Sequence, residues 1–221
     1  MNNPFLKRRR KEAIKVLIAQ IVILVLFVGL WELLSSLEII DAFLFSKPSR
    51  IVKLLKTYIV TKTIYKHIGI SLLETLLGLV IGTLAGLLIA IILWWNKIIA
   101  KIMEPFLVVL NALPKTALAP IIIIWMGTGI KGITAVAVSI SLVLTIISAY
   151  NYFIQVEEEK IKMLQSFNET KLQILFKLVI PANLANIISL IKINIGMSWV
   201  GVIVGEFIVS RYGIGYLIMY G

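Results

Sequence analysis

The chain has 221 residues, 60% of them hydrophobic and 15% charged, and its mean hydropathy is +1.00, which indicates an integral membrane protein rather than a soluble domain. It contains no cysteine and one histidine, His67, so disulfides and thiol catalysis are excluded and a metal site built from histidines is disfavoured. The net charge of +11 fits basic loops facing anionic lipid better than it fits nucleic-acid binding.

The N-terminal part of the chain combines a basic block with the first membrane span. Residues 1–15 carry a cluster of lysines and arginines that the positive-inside rule assigns to the cytoplasm, and residues 16–221 form the membrane domain. The apolar run over about residues 16–34 predicts the first spanning helix, with Trp31 as an anchor near its far end. The Ser-Lys-Pro-Ser sequence at 46–49 then predicts the start of a short basic helix that lies along the membrane surface.

The second predicted span, about residues 69–93, carries a stripe of small residues. Gly78, Gly82 and Gly86 follow each other at four-residue spacing and therefore share one face of a helix. In lipid, small residues at this spacing allow a neighbouring helix to approach closely. The stripe predicts that this span packs against another helix.

The remaining spans follow in order, and together they predict an all-α polytopic bundle with about five crossings. The third span, about residues 98–113, is short, and the prolines after it predict a brief segment, residues 117–126, at the edge of the bilayer. The fourth and fifth spans cover about residues 133–153 and 184–209, and a further helix begins after Arg211. Lysine and arginine counts favour a cytoplasmic N-terminus, mainly because of the N-terminal block.

Residues 156–181 form a polar insert between the last two spans. Its apolar side chains recur at helical spacing in two groups, which predicts two short amphipathic helices. Asn168 stands between the groups and tolerates the left-handed conformation of a sharp turn, while Pro181 is predicted to close the unit. The insert is expected to bury its apolar stripes, either against the protein's own helix ends or against a docking partner.

The insert matches in spacing the cytoplasmic loop of a known family, the permease subunits of ABC importers of the nitrate, sulfonate and taurine type. That loop reads E-A-A, three residues, G, nine residues, I-x-L-P, and anchoring it on Pro181 requires no gap. The residue types differ at most of these positions. The aligned residues are Lys162, Met163, Leu164, Asn168, Leu178, Ile180 and Pro181.

Longer stretches resemble the family more closely than the loop does. E-P-F-L-V-V-L-N-A-L-P-K-T-A-L-A-P-I-I-I-I-W-M-G-T-G, residues 104–129, looks most like the family pattern. G-M-S-W-V-G-V-I-V-G-E-F-I-V-S-R-Y-G-I-G-Y-L-I, residues 196–218, is next, and H-I-G-I-S-L-L-E-T-L-L-G, residues 67–78, is similar to the start of the family's second helix. The resemblance covers nearly the whole chain in the right order and implies a sixth spanning helix beyond its end.

This resemblance implies a non-catalytic subunit of a pump. It implies a second permease subunit as partner, forming a homodimer, a cytoplasmic ABC ATPase that grips the insert, and an external solute-binding protein that delivers a small solute such as nitrate, a sulfonate or taurine. Met163, Leu164 and Phe167 are predicted to contact the ATPase. No cofactor is expected on this chain, and its sequence contains no G-x-x-x-x-G-K-[ST] loop, so ATP is expected to be hydrolysed by the partner.

Ionisable and helix-breaking residues within the spans are candidates for the translocation path, because charged groups are costly in a bilayer. Glu206 occupies a position where the family also has an acid, and Trp125 and Trp199 are equally consistent with interface anchors. The predicted path residues are Glu104, Asn111, Pro114, Trp125, Trp199 and Glu206.

Two other functions remain open from the sequence. A membrane subunit of a vitamin importer also docks ATPases through cytoplasmic helices, but it would bind its substrate without an external receptor. A membrane scaffold protein without a transport path would not associate with an ATPase at all.

Overall fold

The computed structural model describes residues 4–41 and 45–220, so the first three residues of the predicted basic block lie outside it. Over these two ranges all regular structure is helical. The chain divides into two compact units, residues 1–64 and residues 65–221.

The first unit contains α1 (Pro4–Ser36) and α2 (Pro48–Val60). Helix α3 (Thr63–Trp95) begins at the end of this unit and provides the first span of the second. The second unit continues with α4 (Lys97–Ala112), α5 (Ala119–Met126), α6 (Ile130–Ile154), α7 (Glu158–Ser166), α8 (Lys171–Ile174), a π-helical turn (Leu175–Val179), α9 (Ile180–Ala182), α10 (Leu184–Val209) and α11 (Ile214–Tyr220).

Among the described residues, four helices are long and apolar enough to cross a membrane. They are Lys11–Ser36 within α1, and the whole of α3, α6 and α10, and they match the predicted first, second, fourth and fifth spans. The predicted third span corresponds to α4, which has only 16 residues. At about 1.5 Å per residue this helix is about 24 Å long, less than the ~30 Å of the hydrocarbon layer.

The packing of α3 on α6 shows how the short α4 fits into the membrane topology. A Cβ atom added at Gly78 would lie 2.6 Å from Cβ of Ala137, and one added at Gly86 would lie 2.5 Å from Cβ of Thr145. Both residue numbers rise together along the contact, so α3 and α6 run parallel. Two parallel spans require the chain between them to cross back, and α4 and α5 together therefore supply the predicted third crossing.

Helix α6 is the centre of the second unit. In its most apolar window 61% of the residues are buried, against 33% for α3 and 28% for α10. Glycines of α10 make a second close contact with α6: a Cβ atom added at Gly201 would lie 2.7 Å from Cα of Ala137. The predicted small-residue face of α3 is thus confirmed, and α10 contributes a second one.

A buried amide joins the same three spans. The Nδ2 group of Asn194 in α10 donates to Oγ1 of Thr83 in α3 at 2.9 Å and to Oγ1 of Thr145 in α6 at 2.7 Å. Asn194 and Thr145 are fully buried. Hydrogen bonds of this kind between spanning helices contribute on the order of 1 kcal/mol each, and they also select one register of packing.

Pro181 does not close the insert as the sequence predicted. The chain remains helical through α9 and continues into α10 after a single turn residue, Asn183. The preceding turn is wider than an α-helix, because the N–H of Ile180 donates to the carbonyl of Leu175, five residues back. Proline normally clashes with the carbonyl four residues before it, and here the π-helical turn directly precedes the short helix that contains Pro181.

The glycine packing can be tested with Gly86→Ala, for which Gly196→Ala in α10 is the matched control. Alanine favours helix by about 1 kcal/mol relative to glycine, so at a position with free space the substitution should raise the free energy of unfolding or leave it unchanged. Gly196 has no atom within 4 Å of an added Cβ. We expect Gly86→Ala to lower the free energy of unfolding by about 1–3 kcal/mol through overpacking, measured by denaturant titration in micelles. Equal stability of the two variants would contradict close packing at Gly86.

Candidate functional site

The insert forms a helical hairpin whose turn is centred on Asn168. Asn168 has φ 59°, and its N–H donates to the carbonyl of Gln165 at 2.9 Å. Thr170 then caps α8 in a capping box with Gln173, which fixes where the second helix starts. The prediction of two short helices joined at Asn168 is confirmed.

The inner side of the hairpin is packed on the ends of the three central spans. Ile174, Leu175 and Val179 are buried in one apolar cluster, and this cluster includes Phe153 of α6. Ala90 of α3, Ala149 of α6 and Leu190 of α10 complete its buried part, and side chains of the hairpin that include Ile161, Leu164 and Leu178 pack against it. The insert therefore contacts α3, α6 and α10 at once.

Polar contacts attach the second helix of the hairpin to the end of α3. The ammonium group of Lys171 donates to the carbonyl of Trp95 and lies 5.3 Å from the centre of the Trp95 ring. Lys177 forms an ion pair with Glu169 at 2.6 Å, which braces the hairpin itself. A cavity of about 290 Å³ lies beside this junction, lined by residues that include Trp94, Lys97, Phe153 and Ile161.

The outer side of the hairpin exposes large apolar side chains. Phe167 is 72% exposed, and Met163, Leu172 and Phe176 are also exposed. Leu172 and Phe176 were not among the predicted contact residues, although their four-residue spacing on one helix face could have indicated them. Two of the predicted contact residues, Met163 and Phe167, are thus available on the surface.

Other predicted residues of the insert have different surroundings. Leu164 was predicted to contact a partner, but it packs inward, because its position in α7 is on the same face as Ile161. Leu178 and Ile180 also pack against the inner cluster. Lys162 is exposed and pairs with Glu158 at 3.2 Å.

The predicted path residues do not form one cluster in the described chain. Glu104 and Asn111 lie on one exposed face of α4, since seven residues correspond to about two turns, and Pro114 is exposed just beyond it. Trp125 of α5 is 81% exposed. Trp199 is half-buried, and Glu206 is completely buried.

Glu206 is held in a clasp that we define as Ser71, Glu206, Ile214 and Gly215. Ser71 Oγ donates to Glu206 Oε1 at 2.5 Å, and the Gly215 N–H donates to Oε2 at 2.5 Å. The Ile214 N–H donates in turn to Ser71 Oγ at 2.8 Å. The carboxyl group thereby satisfies the Gly215 N–H and Ser71 satisfies the Ile214 N–H at the start of α11, which ties that helix to α3 and α10.

A second buried acid and a histidine lie near the clasp. The Gly213 N–H donates to Nδ1 of His67 at 3.0 Å, which adds a further link between α3 and the chain before α11. Glu74, one turn along α3 from Ser71, is 1% exposed. It lines a cavity of about 360 Å³ together with Thr128, Arg211 and other residues.

Comparison with known proteins identifies relatives over most of the chain. Residues 78–221 match the family model described as binding-protein-dependent transport system inner membrane component. A probable ABC transporter permease protein of Haemophilus influenzae is 28% identical over 86% of this chain and 77% of its own length. The putative aliphatic sulfonates transport permease protein SsuC of Bacillus subtilis is 27% identical over 87% of this chain and 70% of its own length. The taurine transport system permease protein TauC of Escherichia coli is 22% identical over 88% of this chain and 73% of its own length.

The clasp predicts that Glu206→Ala destabilises the protein and loosens α11, while Glu104→Ala, which removes an exposed acid, does not. Buried N–H groups left without an acceptor cost about 1–3 kcal/mol, so we expect a loss of that size in the free energy of unfolding. Trypsin cleavage after the exposed Arg211 should also accelerate in Glu206→Ala. Wild-type stability and wild-type cleavage in both variants would refute the clasp.

Proposed function

The chain belongs to the family of binding-protein-dependent transport system inner membrane components, and on that premise we propose that it lines the path of an ATP-driven importer of a small solute. Within this family it is an ABC transporter permease of the sulfonate, taurine and nitrate type. The observation that carries the proposal is the insert, because it contacts the ends of α3, α6 and α10 while exposing apolar side chains on its other side.

Coupling through the insert is a mechanical proposal. An ATPase subunit grips the exposed side of the hairpin, in the manner of an amphipathic helix seated in a groove. The buried side transmits the displacement, because Leu175 and its neighbours pack directly on three spans. ATP is hydrolysed on the partner, and this chain contributes no catalytic group.

The proposed substrate is a small sulfonate or a related compound. Relatives named for aliphatic sulfonates and for taurine support this class. A second permease subunit completes the path in a homodimer, and an external solute-binding protein delivers the solute.

The proposed orientation has the N-terminus and the insert in the cytoplasm. The contact of Lys171 with Trp95 supports an insert on the same side of the bilayer as the end of α3. The orientation rests on the N-terminal block, whose six basic residues favour retention in the cytoplasm, and it places the basic helix α2 at the outer surface of the plasma membrane.

Docking is tested by the double variant Met163→Asp with Phe167→Asp. Both side chains are exposed, so the bilayer insertion and stability should be unchanged while apolar contact with the ATPase is lost. We expect loss of co-purification with the ATPase and at least a tenfold drop in ATP-dependent sulfonate uptake by proteoliposomes.

The control for docking is Gln165→Asp, which adds a charge at an exposed position of the same helix. It should retain both association and uptake. Full ATPase recovery with the double variant would exclude the outer side of the hairpin as the docking surface. If the wild-type protein binds the ATPase but the proteoliposomes take up no sulfonate, the docking surface stands and the proposed substrate is excluded.

Orientation is tested with single cysteines, since the chain has none of its own. Glu158→Cys in the insert should react with a membrane-impermeant maleimide only after the cells are permeabilised. Lys62→Cys, between α2 and α3, should react in intact cells. Labelling of Glu158→Cys in intact cells would reverse the proposed orientation.

A further inference from the structure

Helix α2 has two chemically distinct faces. With about 100° of rotation per residue, six of its seven large apolar residues fall on one side and its basic residues on the other, with Val60 at the C-terminal end on the basic side. Among the described residues of its own unit, no side chain of α2 is buried, so α1 does not cover the apolar face. The apolar face consists of Ile51, Val52, Leu54, Leu55, Tyr58 and Ile59.

All the charged side chains on the opposite face of α2 are positive. Arg50, Lys53 and Lys56 are exposed on it, and Lys47 and Lys62 stand just outside the two ends of the helix. The sequence from residue 45 to residue 62 contains no aspartate or glutamate. A basic face beside an uncovered apolar face is the pattern of helices that lie in the interface of an anionic membrane.

The start of α2 is tied to the end of the membrane-spanning part of α1. The Glu32 carboxylate accepts hydrogen bonds from the N–H of Ser49 at 3.0 Å and from its Oγ at 2.8 Å. Ser35 Oγ donates to the carbonyl of Ser46 at 3.0 Å. The span ends at Ser36, so these bonds hold the first turn of α2 at the level where α1 leaves the bilayer.

Apolar side chains line one side of α1 near the end of its membrane-spanning part. A cavity of about 320 Å³ is lined there by Phe27, Leu30, Trp31, Leu34, Ile40 and Phe45. Trp31 has the amphipathic ring that favours the headgroup region of a bilayer. The start of α2 is therefore fixed beside a surface suited to lipid chains.

We propose that α2 is an interfacial anchor that binds anionic phospholipid, with its apolar face at the acyl boundary and its basic face among the headgroup phosphates. An isolated apolar face could dock any apolar partner, but the absence of acids over residues 45–62 selects a negatively charged surface. The anchor is separate from the coupling insert and is independent of the transported solute. It holds the segment between α1 and α3 flat on the membrane.

The experiment uses the full chain, in which Leu55→Cys and Thr57→Cys each provide a unique labelling site. The two positions are on opposite faces of α2, about 160° apart. Each variant carries an environment-sensitive fluorophore and is reconstituted in phosphatidylcholine, alone or mixed with phosphatidylglycerol. Quenching is measured with a nitroxide lipid labelled near the headgroup and with aqueous iodide.

The Leu55 probe is expected to be quenched by the nitroxide lipid and protected from iodide, more strongly with phosphatidylglycerol, and the Thr57 probe should behave in the opposite way. Each basic residue strengthens binding to an anionic surface about fivefold, so Arg50→Gln with Lys53→Gln and Lys56→Gln should weaken the phosphatidylglycerol dependence about a hundredfold. The charge-matched control, Lys160→Gln with Lys162→Gln and Lys177→Gln in the insert, should preserve it.

Three results would overturn the proposal. Equal iodide access at Leu55 in both lipid mixtures would mean that α2 does not bind anionic lipid. Equal effects of the two triple variants would assign the dependence to net charge rather than to α2. Protection of Leu55 only after an exported solute-binding protein is added would make this face a protein-docking surface.

Discussion

The structure depends on the close approach of α3 and α10 to α6. Lipid offers no hydrophobic driving force between helices, so association relies on small residues that bring backbones together and on hydrogen bonds made in the absence of water. Gly86 faces Thr145, Gly201 faces Ala137, and Asn194 bonds to a threonine on each of the other two helices. These contacts make the three spans one packed body.

The two ends of this packed body are connected to different parts of the chain. At one end the insert shares an apolar cluster with Phe153, and Lys171 binds the last carbonyl of α3. At the other end of α3, Ser71 and Glu206 hold the start of α11. A displacement of the insert therefore acts on a packed unit rather than on a single helix, as proposed for coupling to an ATPase.

Several features were predictable because a local physical rule decides them. Long apolar runs must be helical in lipid, so four spans were located from hydropathy alone. Asn168 is identifiable as a turn residue because its residue type accepts a positive φ, and its φ is 59° in the structure. Leu164 and Pro181 were misjudged because the first depends on which way α7 faces the bundle and the second on the shape of the preceding turn.

The sequence by itself determined the helical class, the family resemblance, the glycine stripe and the position of the insert, because each follows from residue types at short spacing. Only the tertiary structure decided that α3 and α6 are parallel, that a 16-residue α4 must share its crossing with α5, and that Glu206 is buried in a clasp. The reason is that these properties arise from pairs of residues far apart in the chain. Ser71 and Glu206 are 135 positions apart, and no local pattern connects them.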